Sequence, residues 1–203
     1  MAATDKKRAL VLIADGTEEM EAVITIDVLV RGGIEVTVAS TNPSESTSES
    51  VKCSRGVRIV PDTHLSVLPL DDSQLYDVLM IPGGAPGAKS MASSPLVHRW
   101  IQAHHAKPGV FIAAVCAGPT VLKAAGVARG AKVTSHPSVK DELSGFFDYQ
   151  DNVKGPAIVV KDEMNKLLTS RGPGSTFELA LKIVEEVRGK DVMESVRTPL
   201  MFP

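Results

Sequence analysis

Apolar positions along the chain fall into two alternating patterns, short continuous runs and longer runs at helical spacing. Arg8 to Ala14 (RALVLIA) is nearly unbroken, as in a parallel strand covered on both faces. Asp15-Gly16-Thr17-Glu18 then predicts a helix start, with Asp15 as cap and Glu18 completing a capping box. The helix should run to about Arg31 and stop at Gly32-Gly33. It is apolar nearly all round, which predicts burial on two sides, one of them available to a second subunit.

Glu35 to Ala39 reads as the next strand, and Thr41 to Ser50 as a Ser-rich loop. Val51 to Val60 reads as a hairpin or an irregular strand pair around Arg55-Gly56. Tyr76 to Ile81 is a buried strand ending in the turn Pro82 to Gly87. A helix from Ser94-Pro95 stops before Pro108-Gly109. Val110 to Val115 is a strand, Pro119 to Ala125 a helix, and Lys132 to Ser135 a short strand. Ala157 to Val160 and Lys166 to Ser170 read as the arms of a hairpin or as two adjacent strands. Ser175 to Arg188 has the clearest amphipathic stripe, and Asp191 to Val196 is a last short helix. This alternation, without repeats or a low-complexity linker, predicts one doubly wound α/β domain with a mostly parallel sheet. Ligands in such folds sit at the carboxyl ends of the strands. The loops at Asp15 to Glu21, Pro82 to Gly87, Cys116 to Pro119 and His136 should therefore converge.

Composition narrows the classes. The 203 residues are 43% hydrophobic and 23% charged, ordinary for a globular chain. A net charge of −2 and only 4% aromatics argue against nucleic-acid coating, base stacking or a polybasic membrane anchor. No apolar run reaches the roughly 20 residues of a membrane span. No secretory signal is legible, so Cys53 and Cys116 are expected as free thiols in the cytoplasm, with nucleus or mitochondria left open. No metal-ligand spacing occurs, and no metal or cofactor is expected.

The chemistry centres on VFIAAVCAGP, Val110 to Pro119. A strand running into Cys116 and then a helix, with small residues two positions either side, has the form of a nucleophile elbow. The sulfur should lie at a helix N-terminus that favours the thiolate, with the Ala117 N–H aimed at an oxyanion. The plainer alternative is a small buried hydrophobe, the common fate of a free cysteine; Cys53, without such context, fits it better. Pro82-Gly83-Gly84 can form an anion nest or a plain turn. Glu21 can face Cys116 as a proton shuttle, or belong with Glu18 and Glu19 to a dipole-favoured acid cluster. His136 can serve as a base or be a surface histidine. His98, His104 and His105 fall near a helix end and should be solvated.

Seven blocks in order carry a resemblance: Arg8 to Val11, Glu18 to Glu21, Val51 to Arg55, Leu79 to Gly84, Ala114 to Pro119, Ser135 to Pro137 and Leu168 to Gly174. Together they resemble the ThiJ/PfpI superfamily of DJ-one-like proteins, from about Lys7 to Leu200. The resemblance implies a flavodoxin-like fold and a homodimer. It implies Cys116 as the reactive, oxidisable cysteine, Glu21 as its carboxyl partner and His136 as a nearby histidine. Gly83, Gly84 and Ala117 match oxyanion-binding backbone, and Arg55 a pocket arginine near the dimer interface. The activities implied are cofactor-free glyoxalase and protein deglycase action on methylglyoxal, glyoxal and glycated adducts, with oxidative-stress sensing and chaperone roles. The alternative is a non-enzymatic redox sensor or chaperone in which Cys116 is oxidised to the sulfinate. A class I glutamine amidotransferase would share the elbow, but expects a later His and Glu two residues apart, which His136-Pro137-Ser138 does not supply. Nothing favours a peptidase. Two departures stand out: the Thr41 to Ser50 loop looks long, and Val60 replaces a second oxidation-prone cysteine.

Overall fold

The computed structural model describes residues 6–43, 50–71, 75–151, 153 and 158–202. Strand β1 (Arg8–Ile13) is followed by helix α1 (Glu19–Arg31) and β2 (Glu35–Ser40). A small hairpin, β3 (Val51–Lys52) and β4 (Arg58–Ile59), and a short strand β5 (Thr63–His64) come next. The second half runs β6 (Val78–Ile81), α2 (Ala85–Ala92), α3 (Pro95–Ala106), β7 (Phe111–Val115), α4 (Pro119–Ala124) and β8 (Lys132–Val133). It closes with α5 (Lys140–Leu143), β9 (Asp148–Tyr149), β10 (Val160–Asp162), β11 (Leu167–Ser170), α6 (Thr176–Arg188) and α7 (Lys190–Arg197).

Seven strands form one sheet in the order β10-β11-β7-β6-β1-β2-β5. Every pair is parallel except β10 with β11. The strands read as continuous apolar runs because both faces are covered. In β1, Leu10 and Leu12 pack into one core with α3 and α4, while Ala9, Val11 and Ile13 pack into the other with α1 and α6. Each such leucine or isoleucine, fully buried, contributes about 1.5–3 kcal/mol. β1 pairs with β2 on one side and β6 on the other, so the chain reverses its winding there. That switch point opens a crevice at the carboxyl ends of the strands.

Several local expectations are corrected. Asp15 does not cap α1: the cap is Glu18, whose carboxylate accepts the Glu21 N–H at 2.8 Å. Gly16, at φ +84°, turns the chain first, and Asp15 instead accepts the Lys52 N–H at 2.8 Å. Helix α2 lies where only a turn was read. Pro86 and Gly87 are helix breakers in general, yet proline is tolerated in a first turn, where its missing N–H has no partner to lose. β8 pairs with β9 in a separate two-stranded ribbon rather than joining the sheet. His104 is not solvated but 1% exposed, packed against the rings of Tyr76 and Trp100, which also meet each other. The Val51 to Val60 hairpin and the β10–β11 hairpin are as expected, the latter starting at Val160. Most of the Thr41 to Ser50 loop, and Ala157, lie outside the described residues. One face of α1 packs on α6, while Met20, Val23 and Val30 stay exposed.

Candidate active site

Cys116 sits at the end of β7 with φ +60°, in the left-handed region. For a non-glycine residue this costs on the order of 1–3 kcal/mol and needs support from its surroundings. The support is visible on both sides of the residue. Its N–H donates to Ser170 O at 3.1 Å, and its carbonyl accepts the His136 N–H at 3.0 Å. The strained turn lifts the half-buried sulfur out of the sheet toward the crevice.

Glu21 reaches the same point from the first turn of α1. Its side chain is 0% exposed. Oε2 accepts the Gly83 N–H at 2.7 Å, while Oε1 has no hydrogen-bond partner among the described residues. Gly83 makes this approach possible: a Cβ there would lie 2.6 Å from Cys116 Cβ and 2.8 Å from Glu21 Oε2. Gly84, at φ +85°, is equally constrained, since a Cβ would lie 2.2 Å from Gly16 O.

Burial sets the electrostatics. It pushes the Glu21 carboxyl up to about 7, with the Glu18 charge adding to the rise and the Gly83 N–H and Cys116 thiol opposing it. Burial, followed by the Glu21 charge, pushes the Cys116 thiol up to about 12, against the pull of the Gly84 and Ala117 N–H groups. Near neutral pH the pair holds a thiol beside a carboxyl close to half-ionised. Proton transfer from sulfur to Glu21 is then a local step.

A cleft of about 440 Å³ lies over the sulfur. Cys116, Ala117, Gly84, His136 and Arg55 line it, with Glu18 and Pro173 among their neighbours. Glu21 and Gly83 lie beneath this lining, so all seven residues singled out in the sequence come together. His136 is exposed at the rim. Its Nδ1 accepts the Ser138 N–H at 3.2 Å and meets Ser138 Oγ at 2.8 Å, a pattern that assigns the ring proton to Nε2. Ser138, and not a carboxylate, orients the ring, so the relay of a nucleophile–histidine–acid triad is not built here.

The sequence reading missed Glu18 as cap and cleft wall, and Glu19 as the anchor of the Ser54-Arg55 turn. Ser54 Oγ donates to Glu19 Oε2 at 2.9 Å, and Arg55 N–H to Oε1 at 2.8 Å. Only the acidic run itself signalled them, and it could not say which way each carboxylate points. Among the described residues no cluster of His, Cys, Asp and Glu could hold a metal, and no helix is long and apolar enough to cross a membrane.

Comparison with known proteins shows the family. A Drosophila melanogaster protein, dj-1beta, is 46% identical over 195 residues, 96% of this chain and 97% of its own. Its crystal structure superposes with a TM-score of 0.87, covering 98% of this chain and 99% of the fly chain. The glutathione-independent glyoxalase DJR-1.2 of Caenorhabditis elegans is 40% identical, over 96% of both chains. The glutathione-independent glyoxalase DJ-1 of Schizosaccharomyces pombe is 31% identical, over 97% of this chain and 99% of its own. Residues 7–186 match the family model that spans the sheet, the elbow and the acidic first turn of α1, and the chain belongs to the DJ-1/PfpI family.

Proposed function

We propose that this protein is a glutathione-independent glyoxalase that converts methylglyoxal or glyoxal to the 2-hydroxy acid. The observation that carries the reading is the Glu21–Cys116 pair: a buried carboxyl held near 7, with one oxygen unpartnered, against a thiol on a strained turn. A general acid–base is most effective when its pKa lies near the working pH. Ionised Glu21 accepts the thiol proton as sulfur attacks the aldehyde carbon. The Gly84 and Ala117 N–H groups stabilise the negative charge during addition, and protonation of the alkoxide completes a hemithioacetal. Glu21 then takes the proton from that carbon and returns it to the neighbouring carbon through an enediol, leaving a 2-hydroxy thioester. Water cleaves the thioester, freeing the thiol and the acid, so the net reaction is methylglyoxal plus water to lactate. Removal of early glycation adducts would draw on the same thiol. The exposed Met20, Val23 and Val30 on α1 support a homodimer through that helix.

The second reading is a redox sensor in which Cys116 is oxidised to the sulfinate. The unpartnered Glu21 oxygen favours it, because protonated Glu21 could donate to a sulfinate oxygen. Lactate formation from methylglyoxal, without glutathione or metal, is the test. Turnover by the wild type that disappears in Cys116→Ala is expected. Negligible turnover by the fully reduced protein would overturn the glyoxalase reading and leave the sensor.

A further inference from the structure

We propose, resting on the glyoxalase reading, that Glu19 is a positioning residue whose buried carboxylate clamps the Ser54-Arg55 turn so that Arg55 faces the substrate oxygens over Cys116. Glu19 is 7% exposed, yet among the described residues it forms no ion pair. A carboxylate removed from water needs replacement hydrogen bonds. Those bonds come from one turn of the β3–β4 hairpin. The Arg55 N–H is shared between Oε1 at 2.8 Å and Oε2 at 3.1 Å, and Ser54 Oγ donates to Oε2 at 2.9 Å. Burial opposes ionisation, but the hydrogen bonds from its own backbone, Ser54, Arg55 and Val57 hold Glu19 below the usual glutamate value. It stays charged where Glu21, two residues on, is close to half-protonated.

The turn needs this anchor. Lys52 O accepts the Gly16 N–H and the Ser54 N–H donates to Thr17 O, each at 2.8 Å, so the chain is stitched to the β1–α1 loop as far as Ser54. Beyond it the turn is closed within the hairpin, by the Gly56 N–H on Cys53 O at 3.1 Å and the Cys53 N–H on Val57 O at 2.8 Å, with Gly56 at φ +99°. Arg55 lies between the last stitch to the β1–α1 loop and these bonds, and Glu19 ties its N–H to α1. It is the one arginine or lysine among the described residues lining the cleft. Among the described residues its guanidinium has a single long bond to its own neighbour, to Ser54 O at 3.4 Å, so its backbone sets where the charge stands. Glu19 does not line the cleft and acts through Arg55.

The test compares Glu19→Gln, Arg55→Ala and the double variant. Glu19→Gln keeps the side-chain shape but presents one acceptor oxygen. It is expected to raise KM for methylglyoxal about fivefold with kcat changed by less than about twofold. In the Arg55→Ala background the same change should alter KM by less than about 1.5-fold. An unchanged KM, or the same factor in both backgrounds, overturns the proposal. A second readout needs no turnover: the ratio of Cys116 alkylation rates with iodoacetate and iodoacetamide, followed on the Cys116 peptide. Loss of a nearby negative charge alone would raise that ratio in Glu19→Gln. A misplaced Arg55 lowers it, by roughly threefold or more, and only while Arg55 is present. A ratio that rises or stays constant overturns the proposal. Absent turnover in the wild type would count against the glyoxalase reading alone, leaving the alkylation ratio to decide this one.

Discussion

Two buried titratable groups, Glu21 and His104, lie on opposite sides of the sheet and are both held toward their neutral forms by burial. Their surroundings differ in one respect. The His104 ring has both nitrogens engaged, Nδ1 with Trp100 O at 2.8 Å and Nε2 with the Tyr76 N–H at 3.3 Å. It packs in a cluster with the Tyr76 and Trp100 rings and does not line the cleft over Cys116. Glu21 spends one oxygen on Gly83 and leaves the other unpartnered beside a thiol on a strained turn. A shifted pKa alone does not distinguish chemistry from structure. A shifted group with an open valence, next to a second reactive atom and a cleft, does.

The sharpest division is kinetic. Glu21→Gln should lower kcat for methylglyoxal by about a thousandfold, whereas His104→Gln should leave it within about twofold. Comparable losses in steady-state assays of the two variants would erase the distinction. Stability should divide the other way. His104→Ala opens a cavity and leaves the Tyr76 N–H without its His104 partner, costing on the order of 3–4 kcal/mol in denaturant unfolding. Isosteric Glu21→Gln should cost less than about 1 kcal/mol, since the wild-type carboxyl is already close to half-neutral.

The two groups should also pull stability in opposite directions with pH. Burial lowers His104 to about 4 from an ordinary 6.5, so its contribution is full above pH 6.5 and is lost as pH falls toward 4. Glu21 is raised from 4.5 to about 7, so its contribution is full below pH 4.5 and is lost as pH rises through 7. Each change is on the order of 3 kcal/mol, and between pH 4.5 and 6.5 they offset. Relative to wild type, Glu21→Gln should therefore gain stability with rising pH across that window, and His104→Gln should lose it. Urea unfolding at half-unit pH steps would reveal parallel curves if either assignment were wrong. The smallest effect is expected at His136, exposed and oriented by Ser138 alone. His136→Ala should lower kcat by roughly tenfold at most, and a loss approaching that of Glu21→Gln would restore the histidine as the base.

Much of the fold was legible because strand burial and helix caps are local properties. The apolar runs of β1, β6 and β7 and the stops at Gly32 and Pro108 needed no partner to be read. Helix α2 escaped because Ala85-Pro86-Gly87 has the composition of a turn, and only packing of Gly84 and Gly87 against Gly16 and Thr17 makes it a helix start. His104 escaped for a related reason: a histidine near a helix end is buried or exposed according to what crosses over it, here the segment carrying Tyr76.

At the site, local sequence alone settles the strand, the sharp turn at Cys116, the two glycines and an acidic first helical turn. These follow from small residues at fixed spacing around a nucleophile, a requirement of backbone sterics. It left open which of three neighbouring carboxylates faces the thiol, because a helix distributes successive side chains about 100° apart. Tertiary structure made that choice. Glu18 turned back to cap its own helix, Glu19 outward to hold the Arg55 turn, and Glu21 inward beneath Gly83. Only the interior, by removing water from Glu21 and Cys116 together, moved their proton affinities far from those of the free side chains.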